Sequence, residues 1–300
     1  MRRWLAAASS ELAHVADRPT LWVPGALAWV ASVGWIPFVV AVVRPPTQSE
    51  LTYFGAGMQT SGLWPLNLVL IAAGAVAVVT LGVGLVAIGN AALDAVLRDR
   101  SFASADAGRR FVTSLVGVLP VALVVFVLLV ATIAVAPTEF NRPQGDPGPV
   151  LRTIARLTPL LVLGAIVVIS TAALSGLAGR AATEAGSVAG GIAGLPSMLR
   201  RPGAAGAVHI AVTAVLGTAF LVLTGLLIHV LWAPIGAGLM AGGAIDATAA
   251  LLLVGFVAIW LCLVLAGGAL HAWGSATWSA LLHPEAMAAP SGRPREASID

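Results

Sequence analysis

The chain has 300 residues, of which 59% are hydrophobic and only 10% are charged, and its mean hydropathy is +0.97. A soluble domain carries about 25% charged residues, so this composition excludes a soluble globular protein and indicates an integral membrane protein. All 16 basic residues are Arg, and the net charge is +3. Because no run of them alternates with aromatic residues, we expect no nucleic-acid partner.

Six segments are long and apolar enough to cross a bilayer, which requires about 20 predominantly apolar residues. They are Leu21–Val43, Leu63–Ile88, Phe111–Ala136, Leu157–Gly179, Ala207–Leu231 and Ala247–Leu270. We expect the second to continue as a helix toward Leu97 and the sixth toward Leu282. The predicted fold class is therefore all-α, a polytopic membrane protein with six transmembrane helices in three hairpins. Residues 1–288 are predicted to form a single domain, and residues 289–300 a flexible cytoplasmic tail.

The distribution of Arg predicts the orientation of these helices. With the N-terminus inside, the cytoplasmic segments hold 12 of the 16 Arg residues, and an excess of this kind marks the cytoplasmic side. The other four are Arg44, Arg142, Arg152 and Arg156. We therefore expect both termini in the cytoplasm. The use of Arg without Lys in an Ala- and Gly-rich chain is typical of a GC-rich bacterial genome, which places the protein in a bacterial cytoplasmic (inner) membrane.

The connecting segments differ between the two sides. The outer loops, residues 44–62 and 137–150, are rich in Pro and Gly, which predicts turns and no folded domain. The cytoplasmic segments contain related stretches at intervals of about 80–100 residues, among them AVLRDRSFA, SMLRRPGAA and ALLHPEAM. We interpret these as short amphipathic stubs that lie in the headgroup layer. Six arginines are predicted to face lipid or a partner there: Arg98, Arg100, Arg109, Arg110, Arg200 and Arg201.

Two of these segments carry a resemblance to a known group of proteins. They are Asp17–Pro24, DRPTLWVP, before the first span, and Ala92–Phe111, ALDAVLRDRSFASADAGRRF, between spans two and three. With the six-span spacing, the chain resembles bacterial six-helix membrane proteins of the type found as the membrane domain of some glycerophosphodiester phosphodiesterases, and their uncharacterised relatives. The resemblance implies a helical membrane module. It does not imply phosphodiesterase activity, because the catalytic domain is absent from this sequence.

Ionisable groups within or near the spans are candidates for a functional site. Asn90 and Asp94 share one helix face, while His209 and His271 are predicted at similar depth on neighbouring antiparallel helices, with Glu184 on the same side. One interpretation is a polar pocket in which the two histidines ligate haem or another tetrapyrrole, or relay protons. A zinc site would need a third ligand from Asp94 or Glu184. The alternative is that these groups lie in the headgroup zone, where polar side chains are tolerated.

The sequence contains no catalytic motif of the GxSxG, HExxH or GxxxxGK[ST] type. The first hypothesis is therefore a non-catalytic scaffold or accessory subunit that binds lipid headgroups, a membrane-protein partner or both, with no metal or cofactor. A homo-oligomer is a further possibility for the partner. The second hypothesis is a transporter or permease subunit for an apolar or lipid-like substrate. The third is a cofactor carrier or membrane enzyme that uses His209 and His271.

Overall fold

The computed structural model describes residues 1–43, 46–142, 148–240 and 247–283, and all regular secondary structure in these ranges is helical. A 3₁₀ turn, Pro19–Leu21, leads into α2, and a π-helical segment, Val30–Gly34, joins α2 to α3. The helices are α1 Arg2–Asp17, α2 Trp22–Trp29, α3 Trp35–Val42, α4 Gln48–Thr60, α5 Leu66–Leu97, α6 Ser104–Phe140, α7 Pro149–Ala185, α8 Val188–Arg200, α9 Gly203–Met240 and α10 Ala247–Leu282.

The structure confirms the predicted fold class, an all-α multi-pass membrane protein. Within the described residues, six helical stretches are long and apolar enough to cross a membrane: Pro19–Val40, Leu66–Leu97, Ser104–Phe140, Pro149–Val167, Gly203–Leu239 and Ala247–Leu282. The expected extensions to Leu97 and Leu282 are both present. The apolar side chains on these helices point outward; Val78 is 70% exposed, as a surface solvated by lipid requires. The tail, residues 289–300, lies outside the described residues.

The chain forms two compact units. Unit 1 contains Met1–Pro37, Ala92–Phe102 and Leu195–Asp300, and unit 2 contains Phe38–Ala91 and Ala103–Gly194. The last turns of α5 therefore belong to unit 1, and the rest of that helix belongs to unit 2. The grouping of both units into one domain over residues 1–288 stays a prediction.

Unit 1 is organised around α10, which packs against α1, α2 and α9. Gly25 of α2 meets Gly268 of α10 so closely that a Cβ on Gly25 would lie 3.0 Å from the carbonyl carbon of Gly268. In a membrane, small residues of this kind allow backbones to approach and gain van der Waals contact. The π-helical segment after α2 has a similar role, because Trp29 folds over both Gly34 and Gly267.

The last two spans form the antiparallel hairpin that their short connection predicts. Thr213 of α9 lies beside Gly274 of α10, and further along the pair Trp232 contacts Phe256, with ring centroids 5.3 Å apart. Residue numbers thus rise along α9 while they fall along α10. This arrangement fixes the two predicted histidines on facing helices.

Helix α1 was not predicted from the sequence, which lacks an apolar run there. The helix packs its small and apolar face, including Ala8 and Val15, against Ala272, Trp273 and Ala276 of α10. The indole Nε1 of Trp273 donates a hydrogen bond of 2.9 Å to the backbone oxygen of Ala8. A docked small and apolar face combined with exposed charged residues, here Arg2 and Asp17, is typical of helices at a membrane surface.

Unit 2 contains a long antiparallel hairpin of α6 and α7. Val124 of α6 fills the space over Gly164, and nearer the start of α6 the side chain of Arg110 lies over Gly179. Helix α7 begins with Pro149 and ends at Ala185, and the next residue, Gly186, has a φ of +68°, the left-handed conformation that glycine supplies at helix ends.

Helix α4 contradicts the expectation that the first outer loop consists of turns. The side chain of Thr47 accepts a hydrogen bond from the backbone N–H of Glu50, and the Glu50 carboxylate accepts one of 2.7 Å from the Thr47 backbone N–H. This reciprocal capping box starts the helix. Much of the first outer loop is therefore helical, as α4 (Gln48–Thr60), and this helix packs against α7.

The contact between α2 and α10 makes a testable prediction. In Gly268→Ala, the new methyl group would lie 2.5 Å from the backbone nitrogen of Ala26 and 2.8 Å from its Cα, so the helices must separate. We expect a loss of roughly 1–3 kcal/mol, measured as a lower Tm of the purified protein in detergent.

Gly255→Ala is the matched control, because it lies on the same helix and a Cβ there meets nothing within 4 Å. Both substitutions raise the helix propensity of α10 by the same amount, about 1 kcal/mol. Equal Tm values for the two variants would show that the Gly268 contact does not limit stability.

Candidate functional site

His209 is the centre of the candidate site in unit 1. It lies in the second turn of α9, is only 4% exposed, and is held from two helices. Its Nδ1 accepts a hydrogen bond of 3.3 Å from the indole Nε1 of Trp4 in α1. Its Nε2 lies 3.0 Å from the backbone oxygen of Gly274 in α10. A single imidazole therefore connects α1, α9 and α10.

The partners of His209 determine its tautomer. The Trp4 indole nitrogen can only donate, so Nδ1 must present its lone pair, and the Gly274 oxygen can only accept, so Nε2 must carry the proton. This is the neutral Nε2–H form. The rings of Trp273 and Trp278 border it, with centroids 6.2 Å and 5.7 Å from that of His209. The aromatic surroundings exclude water and strengthen both hydrogen bonds.

The other predicted pocket residues occupy different environments. In unit 1, Asp94 is buried at 3% exposure, and His271 is half-buried one turn before Gly274. The neighbour of Asp94, Leu93, packs on Ala272, Trp273 and Ala276, so the end of α5 docks on the same stretch of α10 that holds His209. In unit 2, Asn90 is half-buried and Glu184 is exposed.

The cofactor hypotheses stay predictions. Ligation of haem by His209 and His271 requires His209 to give up one of its two hydrogen bonds, since neither ring nitrogen presents an unused lone pair. The zinc alternative needs three clustered ligands. Within residues 1–43, 46–142, 148–240 and 247–283, no three His, Cys, Asp or Glu side chains are grouped so that they could hold a metal ion.

An apolar cavity of about 380 Å³ lies between α1 and the α9–α10 hairpin. Its walls are side chains of the three helices and of the start of α2: Leu12, Val15, Ala16, Trp22, Leu216, Ala269, Leu270 and Trp273. Trp273 thus borders both this cavity and His209. The lining suits a hydrocarbon chain and offers almost no group for a polar ligand.

The predicted lipid- or partner-facing arginines divide into two groups. Four of them are exposed, namely Arg98, Arg100, Arg200 and Arg201, and Arg109 is half-buried in an ion pair with Asp106. The prediction is wrong for Arg110, which is only 5% exposed. Its Nε donates a hydrogen bond of 3.1 Å to the hydroxyl of Thr183, and its aliphatic part lies on Gly179.

The turn that carries Arg98 and Arg100 is fixed by an ion pair. Asp99 adopts a φ of +47°, and its carboxylate receives the Arg18 guanidinium at 3.0 Å. Both partners are well exposed, so the pair contributes little to stability. Its effect is on geometry, because it ties the end of α5 to the start of the first span and leaves the flanking arginines on the surface.

Sequence reasoning missed Glu139, the most completely buried carboxylate described. It is 0% exposed at the end of α6, where Arg142, Arg152 and Arg156 surround it at 3.6, 3.1 and 2.9 Å. The signal was present in the spacing, since a Glu in the last turn of one span precedes three arginines on the hairpin that follows. It was overlooked because those arginines were used only to count charge on the outer side.

Trp4, Trp273 and Trp278 were also missed as the partners of His209. The sequence shows Trp residues near helix ends, which by itself indicates interfacial anchoring. Which Trp contacts which helix depends on the docking of α1, and no helix was predicted there.

In comparisons with protein-family models, with curated proteins and with solved structures, nothing matches this chain. The resemblance to the membrane domain of glycerophosphodiester phosphodiesterases therefore stays a prediction.

The His209 site makes a prediction about α1. His209→Phe keeps the ring but removes the acceptor for Trp4 and the donor to Gly274, each worth about 1 kcal/mol. We expect faster hydrogen–deuterium exchange in residues 2–17 and little change in α6 and α7.

His229→Phe is the control, because His229 is exposed on the same helix. Unchanged exchange in residues 2–17 of the His209 variant would show that α1 docks without this histidine.

Proposed function

We propose that this chain is a non-catalytic scaffold or accessory subunit of a bacterial cytoplasmic membrane. It binds lipid headgroups, a membrane-protein partner, or both, with its N- and C-termini in the cytoplasm. A homo-oligomer is included among these partners.

The observation that carries the proposal is the exposure of arginines at the helix ends that the charge distribution assigns to the cytoplasm. In unit 1, Arg98 and Arg100 flank the Arg18–Asp99 ion pair, while Arg200 is the last residue of α8 and Arg201 follows it. Guanidinium groups bind phosphate and carboxylate through paired hydrogen bonds. Arginines in the headgroup layer therefore suit either an anionic lipid or an acidic surface of a partner.

The use of the buried polar groups supports a structural role. His209 joins three helices, and Arg110 joins α6 to α7 through Thr183. Groups engaged in this way have their donors and acceptors directed at the protein's own helices. Binding to an external molecule is then the task of the exposed arginines.

Replacement of the exposed arginines tests this proposal. We expect the quadruple variant with Arg98, Arg100, Arg200 and Arg201 changed to Gln to lose bound lipid or partner protein in native mass spectrometry, after gentle extraction from the host membrane. Removal of exposed charges changes stability by about 0.5 kcal/mol or less per site, so Tm serves as the control for folding. A folded variant that retains every partner and lipid of the wild type would contradict the proposal.

A second candidate function is transport of an apolar or lipid-like substrate. Two cavities favour it, the one beside Trp273 in unit 1 and one of about 320 Å³ between α4 and the α6–α7 hairpin in unit 2. Both cavities have nearly apolar walls. An apolar substrate that passed through them would need no charged residue at the midplane of the membrane.

Bulky substitution of the unit 1 cavity tests the transport hypothesis. Ala269 lines this cavity, and Ala269→Phe should lower protein-dependent flux of a fluorescent lipid in liposomes several-fold if the cavity is on the route. Ala249→Phe on the same helix is the control. Absence of protein-dependent flux for wild type would reject transport of this substrate class.

A further inference from the structure

The ion cluster around Glu139 in unit 2 has more positive charge than its helix contact requires. Glu139 Oε2 receives the Nε of Arg152 at 3.1 Å, and Oε1 faces the Nε of Arg156 at 2.9 Å. Arg142 lies 3.6 Å from Oε2. Arg152 also donates through Nη2 to the Glu139 backbone oxygen at 2.9 Å. Arg152 and Arg156 of α7 thus both contact the carboxylate at the end of α6, and Arg142 adds a third guanidinium group.

Arginines outnumber acids along residues 139–156. Guanidinium groups stay protonated in proteins, so one carboxylate neutralises one of the three arginines. The connection between the helices contains Asp146, which lies outside the described residues, and residues 139–156 therefore hold three arginines against two acids.

The excess lies at the surface. The side chain of Arg152 is 18% exposed, whereas those of Arg142 and Arg156 are 52% and 48% exposed. Arg156 lies within ion-pair distance of Glu139 through its Nε, and about half of its side chain stays exposed. Two half-exposed guanidinium groups next to a fully buried acid form a surface of fixed geometry with donors available for an anion.

The position along α6 places this surface in a headgroup layer. Arg109 and Glu139 lie thirty positions apart on one helix, which is about 45 Å at 1.5 Å per residue. The hydrocarbon core is about 30 Å thick. With the apolar stretch between them inside the core, Glu139 lies beyond it, at the end opposite Arg109. The abundant anions at that depth belong to lipid headgroups.

We propose that Arg142 and Arg156 bind the headgroup of an anionic phospholipid, with Glu139 and Arg152 holding the two guanidinium groups in place. The inference is independent of the proposed function, since it concerns unit 2 and the end of α6 remote from Arg109. Bidentate hydrogen bonds from guanidinium to phosphate oxygens supply the affinity, and the positive excess selects an anionic over a zwitterionic headgroup.

Titration with two lipids tests this site. Purified protein is titrated with phosphatidylglycerol or with phosphatidylcholine of the same acyl chains, and bound lipid is counted by native mass spectrometry. Wild type should bind phosphatidylglycerol about tenfold more tightly than phosphatidylcholine. The double variant Arg142→Gln/Arg156→Gln should lose this preference, and Arg142→Lys/Arg156→Lys should recover part of it because the charge is restored.

The control variant is Arg2→Gln, which removes an exposed arginine of α1 that neither proposal assigns to a binding surface. It should keep the preference at the Glu139 cluster. Equal binding of the two lipids by wild type, or full phosphatidylglycerol preference in a folded Arg142→Gln/Arg156→Gln variant, would overturn the inference. If an acidic peptide displaces the bound lipid and excess phosphatidylglycerol does not, the cluster binds a protein partner. This result would also overturn the inference.

If the double variant does not fold, as judged by Tm, the single variants Arg142→Gln and Arg156→Gln test the same site. Each retains one guanidinium beside Arg152, so each should fold and bind phosphatidylglycerol less tightly than wild type. Loss of lipid preference here with normal behaviour of the Arg98 and Arg200 group would leave the proposed function standing.

Discussion

The close approach of Gly25 and Gly268 brings the backbones of α2 and α10 into contact, and the other elements of unit 1 are arranged around α10. A bilayer gives apolar helices no hydrophobic reason to associate, so contact area has to come from surfaces without side chains. The same surface accommodates Trp29, which covers Gly267. Helix α10 can therefore hold α2 on one part of its surface and present its last turns to α1 and α9.

Polar contacts between helices add to the packing at the glycines. His209 joins α9 to α1 and α10, and in unit 2 Arg110 and Glu139 join opposite ends of α6 to α7. A hydrogen bond between helices in a membrane is worth about 0.6–2 kcal/mol. Its direction, however, fixes the rotation of each helix. The tautomer of His209 can be deduced because the Trp4 indole can only donate and the Gly274 oxygen can only accept.

The length and composition of the apolar runs were sufficient to predict the spans and the continuation of α5 and α10. Length and composition did not reveal α1, whose helix depends on docking against Trp273, or α4, whose start depends on the Thr47–Glu50 capping box. The polar pocket was predicted from position alone. His209 proved to be buried, but its partners are Trp4 and a backbone oxygen, which no spacing rule identifies.

The arginines show most clearly what sequence position leaves undetermined. The position of an arginine relative to the spans predicts the side of the membrane on which it lies. A count of charges on each side, however, does not distinguish the roles of Arg98, Arg110 and Arg152. The structure separates them by what they contact. Arg98 is exposed, Arg110 lies on Gly179, and Arg152 neutralises Glu139. An arginine whose acceptor lies on a neighbouring helix, such as Arg110 or Arg152, joins the helices of the bundle. The charge of an arginine therefore indicates its role only together with the acceptor that its guanidinium group contacts.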